Sequence, residues 1–133
     1  MRMLKMLWTL PNTLVGLLLG FFSFTWPWWD ERRALIFESD RGFRKLHSKK
    51  GYAAITFGNS IITTPNPGER LMRHEFTHVR QYENWGPFFA LAYGFYWVKL
   101  WREGKDPYFD NPFEKEARAA EEEPPMSAAA GKD

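Results

Sequence analysis

From Met6 to Trp29 the chain has no charged residue; Arg2 and Lys5 precede this run, and Asp30-Glu31-Arg32-Arg33 follow it. Pro11 with Asn12 reads as a helix start and Pro27 as a stop, so the pattern predicts an apolar helix over about Asn12 to Trp26. Such a helix is about 22 Å long, short of the ~30 Å hydrocarbon core of a bilayer. Basic flanks on both sides give it no preferred orientation. Two placements follow: a helix inserted in or lying on a membrane, or one buried in the domain's own core. Gly16 and Gly20 would allow another helix to pack closely.

After this run the rhythm shortens. Ala34 to Glu38 reads as a short strand, Asp40-Arg41-Gly42 as a turn, and Arg44 to Lys50 as a basic loop containing His47. Tyr52 to Phe57 and Ser60 to Thr64 are rich in β-branched and aromatic residues. Gly58-Asn59 between them predicts a two-residue hairpin pairing Phe57 with Ser60 and Ile55 with Ile62.

The period then lengthens to that of a helix. Asn66-Pro67-Gly68-Glu69 predicts a start with Asn66 as N-cap, Pro67 as first residue and Glu69 in the first turn. Gly86-Pro87 ends it after about Asn84. Leu71, His74, His78, Tyr82 and Trp85 share the inward stripe; Arg73, Thr77, Arg80 and Asn84 form the solvated one. Phe88 to Trp101 is a second apolar helix, with Lys99 its only charge, and is the expected partner of the first. Asn111-Pro112-Phe113-Glu114 repeats the Asn-Pro-x-Glu start, and a helix continues to Ala120. The domain reading is an apolar segment over residues 1–29, a folded domain over 30–120, and a disordered tail over 121–133.

Composition changes this picture in two ways. A net charge of +2 gives no case for nucleic acid as a partner. Yet Arg32, Arg33, Arg41, Arg44, Lys45, Lys49 and Lys50 crowd beside the apolar segment, which suits an anionic membrane surface. Without cysteine there is no disulfide, thiolate ligand or thiol nucleophile, so any metal must use His and carboxylate.

The chemistry centres on His74-Glu75-Phe76-Thr77-His78, an H-E-x-x-H. Positions i and i+4 of a helix put both imidazoles on one face within reach of one metal ion, with Glu75 beside its open side as a general base. The bland alternative is a pair of hydrogen-bonded core histidines, but two buried imidazoles leave several nitrogens needing partners. A third ligand must come from elsewhere. Gln81 and Asn84 stand where a metzincin has Gly and His, which excludes that class. His47 sits in the basic loop, so a carboxylate on a later helix is the better candidate; Glu114 also reads as a simple capping residue.

H-E-F-T-H-V-R-Q-Y followed by N-P-F-E-K-E-A resembles the glutamate-zincin pattern of an H-E-x-x-H and a downstream E-x-x-A. The likeness is to small bacterial proteins with an apolar Leu-Pro-Asn-Thr N-terminus and a Trp-Gly-Pro after the motif helix, and it covers about Trp8 to Ala119. The broader pattern recurs in membrane-embedded peptidases. The resemblance implies His74, His78 and Glu114 as Zn²⁺ ligands and Glu75 as the base. It departs at Arg118, where many members carry an Asp that supports a ligand histidine.

The resulting expectation is an α+β, minimal zincin-like domain: a short hairpin or sheet, the motif helix, an apolar helix and a ligand-bearing helix, with an apolar N-terminal helix. Its expected function is zinc-dependent hydrolysis of a peptide or protein substrate. The rival is a membrane-associated binding or scaffold protein whose zinc is structural. The expected location is a membrane surface on the cytoplasmic side, with a soluble cytoplasmic protein as the alternative.

Overall fold

The chain runs α1 (Arg2–Trp8), α2 (Leu10–Phe21), β1 (Trp28–Asp30), β2 (Ala34–Glu38), β3 (Ala54–Phe57), β4 (Ser60–Thr63), α3 (Glu69–Trp85), a 3-10 turn (Gly86–Phe88), α4 (Phe89–Arg102) and α5 (Pro112–Glu121). This is a computed structural model describing residues 2–32, 34–43 and 53–122. His47 and the expected tail beyond Glu122 lie outside the described residues.

The four strands form one mixed sheet in the order β1-β2-β4-β3. β1 and β2 are antiparallel, β2 and β4 parallel, and β3 and β4 form the expected hairpin with Phe57 opposite Ser60 and Ile55 opposite Ile62. Gly58 takes φ +59, the left-handed backbone that a primed two-residue turn needs at its first position. Among the described residues β3 is an edge strand.

Side-chain alternation sends the two faces of the sheet to different helices. Ile36 and Ile61 join Met72, Phe76 and Val79 of α3 in the core. Phe37 and Ser60, one residue on and one residue back, face α2. All four residues of β4 are buried because the strand is covered on both sides.

The N-terminal segment differs from the single helix expected over Asn12 to Trp26. It breaks into α1 and α2 around Thr9, just before Pro11, and α2 ends at Phe21. Proline removes an N–H from the helical ladder, which favours a fresh helix start. Nor does α2 pair with α4 as expected; it lies on β3 and β4. Gly16 and Gly20 make that possible. A Cβ on Gly16 would come 2.6 Å from Ser60 Cβ, and one on Gly20 would come 2.6 Å from the Phe37 ring. The glycine pair admits a sheet, not a second helix. Among the described residues no helix is long and apolar enough to cross a membrane.

The start of α3 also differs. Its N-cap is Gly68 and its first residue Glu69; Asn66 makes no cap. Asn66 instead takes φ +53, and its N–H donates to Glu38 Oε1 at 2.7 Å. The residue expected to cap the helix is instead held by a tertiary contact through its backbone N–H. The α5 start forms as expected, with Asn111 Oδ1 accepting from the Phe113 N–H at 3.1 Å and Pro112 as first residue.

Candidate metal centre

α3 carries the motif through the middle of the molecule. The sheet covers Met72, Phe76 and Val79, and α5 packs along another side. His74 to Val79 are therefore all buried. Thr77 was expected on the solvated stripe, but it is 1 % exposed, and its hydroxyl donates to Arg73 O at 2.8 Å. Trp85, expected inward, is 45 % exposed at the end of the helix.

His74, His78 and Glu114 come together from α3 and the first turn of α5. Each histidine presents Nε2 to the same oxygen, Glu114 Oε1, at 3.1 Å. The three donor atoms lie within 4.8 Å of one another, and no residue of the three is more than 8 % exposed. Glu114 does not serve as a cap: its other oxygen accepts from Tyr93 O–H at 2.9 Å. Its place in the first turn of α5 puts the carboxylate at the electropositive end of that helix.

The outer nitrogen of His78 is held as well. His78 Nδ1 faces Gln81 Oε1 at 2.8 Å. The Gln81 amide nitrogen donates to Phe113 O at 3.0 Å and Glu116 Oε1 at 2.8 Å. With the amide NH₂ so engaged, Oε1 is the acceptor, and the His78 proton belongs on Nδ1. His78 Nε2 is then free to ligate. His74 Nδ1 lies 3.8 Å from Glu121 Oε1. Arg118, the position where the resemblance leads one to expect an Asp, turns away: its guanidinium stacks over the Phe109 ring at 4.2 Å and donates to Phe109 O. Glu121, one turn further along α5, brings its carboxylate near His74 Nδ1 but beyond hydrogen-bond reach.

Glu75 lies on the neighbouring side of α3, 4 % exposed. Thr56 Oγ1 on the edge strand donates to its Oε2 at 2.7 Å. Both residues line a cavity of about 470 Å³ that also touches His74, His78 and Glu114. β3 forms one wall through Ala54 to Phe57, and Phe89, Tyr93 and Trp97 of α4 form another. Three tyrosines, Tyr82, Tyr93 and Tyr108, also line the cavity. Tyr96 packs against Phe113.

The electrostatics follow from this crowding. Burial works against the charge on Glu114, yet hydrogen bonds with His74, His78 and Tyr93 hold its carboxyl well below the usual range. Burial likewise opposes charge on His78, but the Glu114 hydrogen bond and the charges of Glu75 and Glu114 raise it to about 9. Burial, then the nearby Glu75 charge, pushes the Tyr82 phenol well above its ordinary value. Tyr82 therefore remains a donor at neutral pH.

These residues fit a metal ion by their donor chemistry. A carboxylate oxygen faces two imidazole nitrogens, and a cation or protons must sit between them. Ligands on a tetrahedral zinc with bonds of ~2.0–2.1 Å lie about 3.3 Å apart, close to the nitrogen–oxygen separations seen here. Compared with known proteins, the chain matches no family model, no curated protein and no solved structure. The case for the site rests on its own geometry.

Gln81, Glu116, Glu121 and Thr56 are absent from the sequence reading as site residues. Gln81 had a signal, three residues after His78 on the same helix. Thr56 had none; its partner is nineteen residues away and set by the sheet.

Proposed function

We propose that this protein is a zinc-dependent peptidase-like hydrolase with a minimal zincin-like arrangement. One observation carries the reading: the H-E-x-x-H histidines converge on a buried Glu114 carboxylate beside a cavity whose wall includes Glu75. His74, His78 and Glu114 would hold the ion, and His₂Glu is a nitrogen–oxygen set suited to zinc with a position left open. Bound zinc would polarise the scissile carbonyl and bring the pKa of water to about 7.

The chain's own groups supply the rest. Glu75 accepts a proton from water in the cavity as the water oxygen attacks the carbonyl carbon, and returns it to the amine as the C–N bond breaks. Thr56 fixes one oxygen of that carboxylate, leaving the other for the proton. Tyr82, which lines the cavity shared by Glu75 and the ligands, is the donor proposed for the developing oxyanion; the Tyr93 hydroxyl is already given to Glu114. β3, an edge strand on the cavity wall, offers a backbone edge against which an extended peptide can add.

The scaffold reading has one observation in its favour. Glu75 is almost fully buried and already accepts a hydrogen bond, an arrangement that also suits a structural carboxylate. Glu75→Gln separates the two readings. The hydrolase reading expects stoichiometric zinc in wild type and variant, with cleavage of a peptide library by the wild type alone. Zinc retained with no cleavage by the wild type would leave the scaffold reading.

A further inference from the structure

All seven tryptophans lie at the surface. Trp8 is the least exposed at 41 %, and Trp26 reaches 83 %. Indole is among the side chains a water-soluble fold most strongly covers. Here the core around α3 contains Ile36, Ile61, Met72 and Val79 and no tryptophan.

Four of the indoles sit with uncovered helix faces: Trp8 on α1, Trp26 against Phe21 of α2, and Trp97 and Trp101 on α4. α2 exposes Leu10, Leu14 and Leu18, and α4 exposes Leu91, Phe95 and Val98, each set at helical spacing. The two regions meet at the 3-10 turn. The exposed rings of Trp8 and Phe88 lie 6.4 Å apart, and Asn12 Nδ2 donates to Gly86 O at 3.2 Å. Helices α1, α2 and α4 contain Arg2, Lys5, Lys99 and Arg102 and no acidic residue.

We infer that this apolar, basic surface seats the protein on an anionic lipid bilayer, with α1, α2 and α4 in the plane of the headgroup–acyl boundary. Helices of 7, 12 and 14 residues are too short to span; the longest is about 21 Å against a ~30 Å core. They can lie in the boundary with indoles at headgroup level and basic side chains on anionic lipid. The rest of the chain is poorly suited to cover this face. Residues 44–52 are strongly basic, and residues 123–133 are mostly small or polar. A second copy is disfavoured by charge. A two-fold contact would bring this net basic surface against itself, four basic residues on the three helices against Glu103 at the end of α4, which already lies 3.8 Å from Lys99. The inference stands apart from the metal reading.

The test uses the full-length protein and vesicles of phosphatidylcholine, with or without one-third phosphatidylglycerol. The wild type should sediment with the anionic vesicles, and acyl-brominated lipid should quench its tryptophan fluorescence. Leu91→Glu/Phe95→Glu and Leu14→Glu/Leu18→Glu should each lower partitioning by about tenfold or more. Lys99→Glu/Arg102→Glu should weaken binding to the anionic vesicles specifically. Circular dichroism and metal content on the same samples distinguish a lost surface from a lost fold, and failure here from failure of the metal site. If the variants do not fold, bromine quenching of the wild type still decides. Wild type left in the supernatant with both vesicle types, or unquenched, overturns the inference. So does a dimer in detergent-free buffer that the α4 variant dissociates without any vesicle binding.

Discussion

The Thr56 hydroxyl donates to the Glu75 carboxylate across 2.7 Å, joining the edge strand on the cavity wall to the motif helix. Both groups are buried, so nothing in solvent replaces the contact at low cost. Thr56→Val keeps the shape and removes the donor. A hydrogen bond to a charged group contributes ~1.5–3 kcal/mol, so turnover should fall about tenfold or more if Glu75 needs that orientation. KM and zinc content should change little. Steady-state kinetics with metal analysis check this; unchanged kcat would make Thr56 a packing residue.

The contact from Gln81 to Glu116 gives a second expectation. Neither side chain touches the Glu114 oxygen, yet together they hold His78 Nδ1. Outer partners of ligand histidines typically contribute 10–100-fold in metal affinity or activity. Glu116→Ala and Gln81→Met should each weaken zinc by roughly tenfold in a competition titration. Wild-type affinity in both variants would show that the histidine needs no such support.

The same four-residue text shows what could and could not be read from the sequence. Asn-Pro-x-Glu occurs at Asn66 and at Asn111. Asn111 has φ −63 and caps α5; Asn66 has φ +53 and gives its N–H to Glu38. At Asn111 the distant contact, from the amide nitrogen to Tyr93 O, leaves the capping oxygen in place, whereas Asn66 has a left-handed backbone that is not cap geometry. The β3–β4 register was legible because turn length sets it. The shared face of His74 and His78 was legible because helical spacing sets it. The partner of Gly16 and Gly20, the burial of Thr77 and the positions of Thr56 and Glu121 depend on which elements meet. That information is spread over the whole chain.

The N-terminal segment supplies a sign test. Gly to Ala within a helix ordinarily stabilises by roughly 0.5–1 kcal/mol. At Gly20 the added methyl would lie 2.6 Å from a fully buried Phe37 ring. Gly20→Ala should therefore lower the melting temperature. A raised one would mean that α2 does not pack on the sheet as described.

Protein stripped of metal should respond to pH in a defined direction. Folding raises His78 from its ordinary 6.5 to about 9, so its contribution is fully present below pH 6.5 and is lost as pH rises through about 9. Folding lowers Glu114 from 4.5, so its contribution is present above that pH and is lost as pH falls further. The stripped protein should melt highest between those limits and lose stability from pH 6.5 to 9. Zinc affinity should rise over the same interval, because the metal competes with the His78 proton. Melting curves after chelation, paired with zinc competition titrations, follow both trends; a melting temperature that climbs with pH across that interval would contradict the His78–Glu114 pairing.

The central claim is that Glu114 completes a zinc site with His74 and His78, and metal analysis of Glu114→Gln tests it most directly. Asn111 caps α5 with its own side chain, so the substitution should leave the helix intact. Gln is a poor zinc ligand of nearly the same shape. The account expects one zinc per chain in the wild type and a large loss in Glu114→Gln at unchanged helix content. Zinc bound as tightly by Glu114→Gln as by the wild type, or none bound by either, would contradict it.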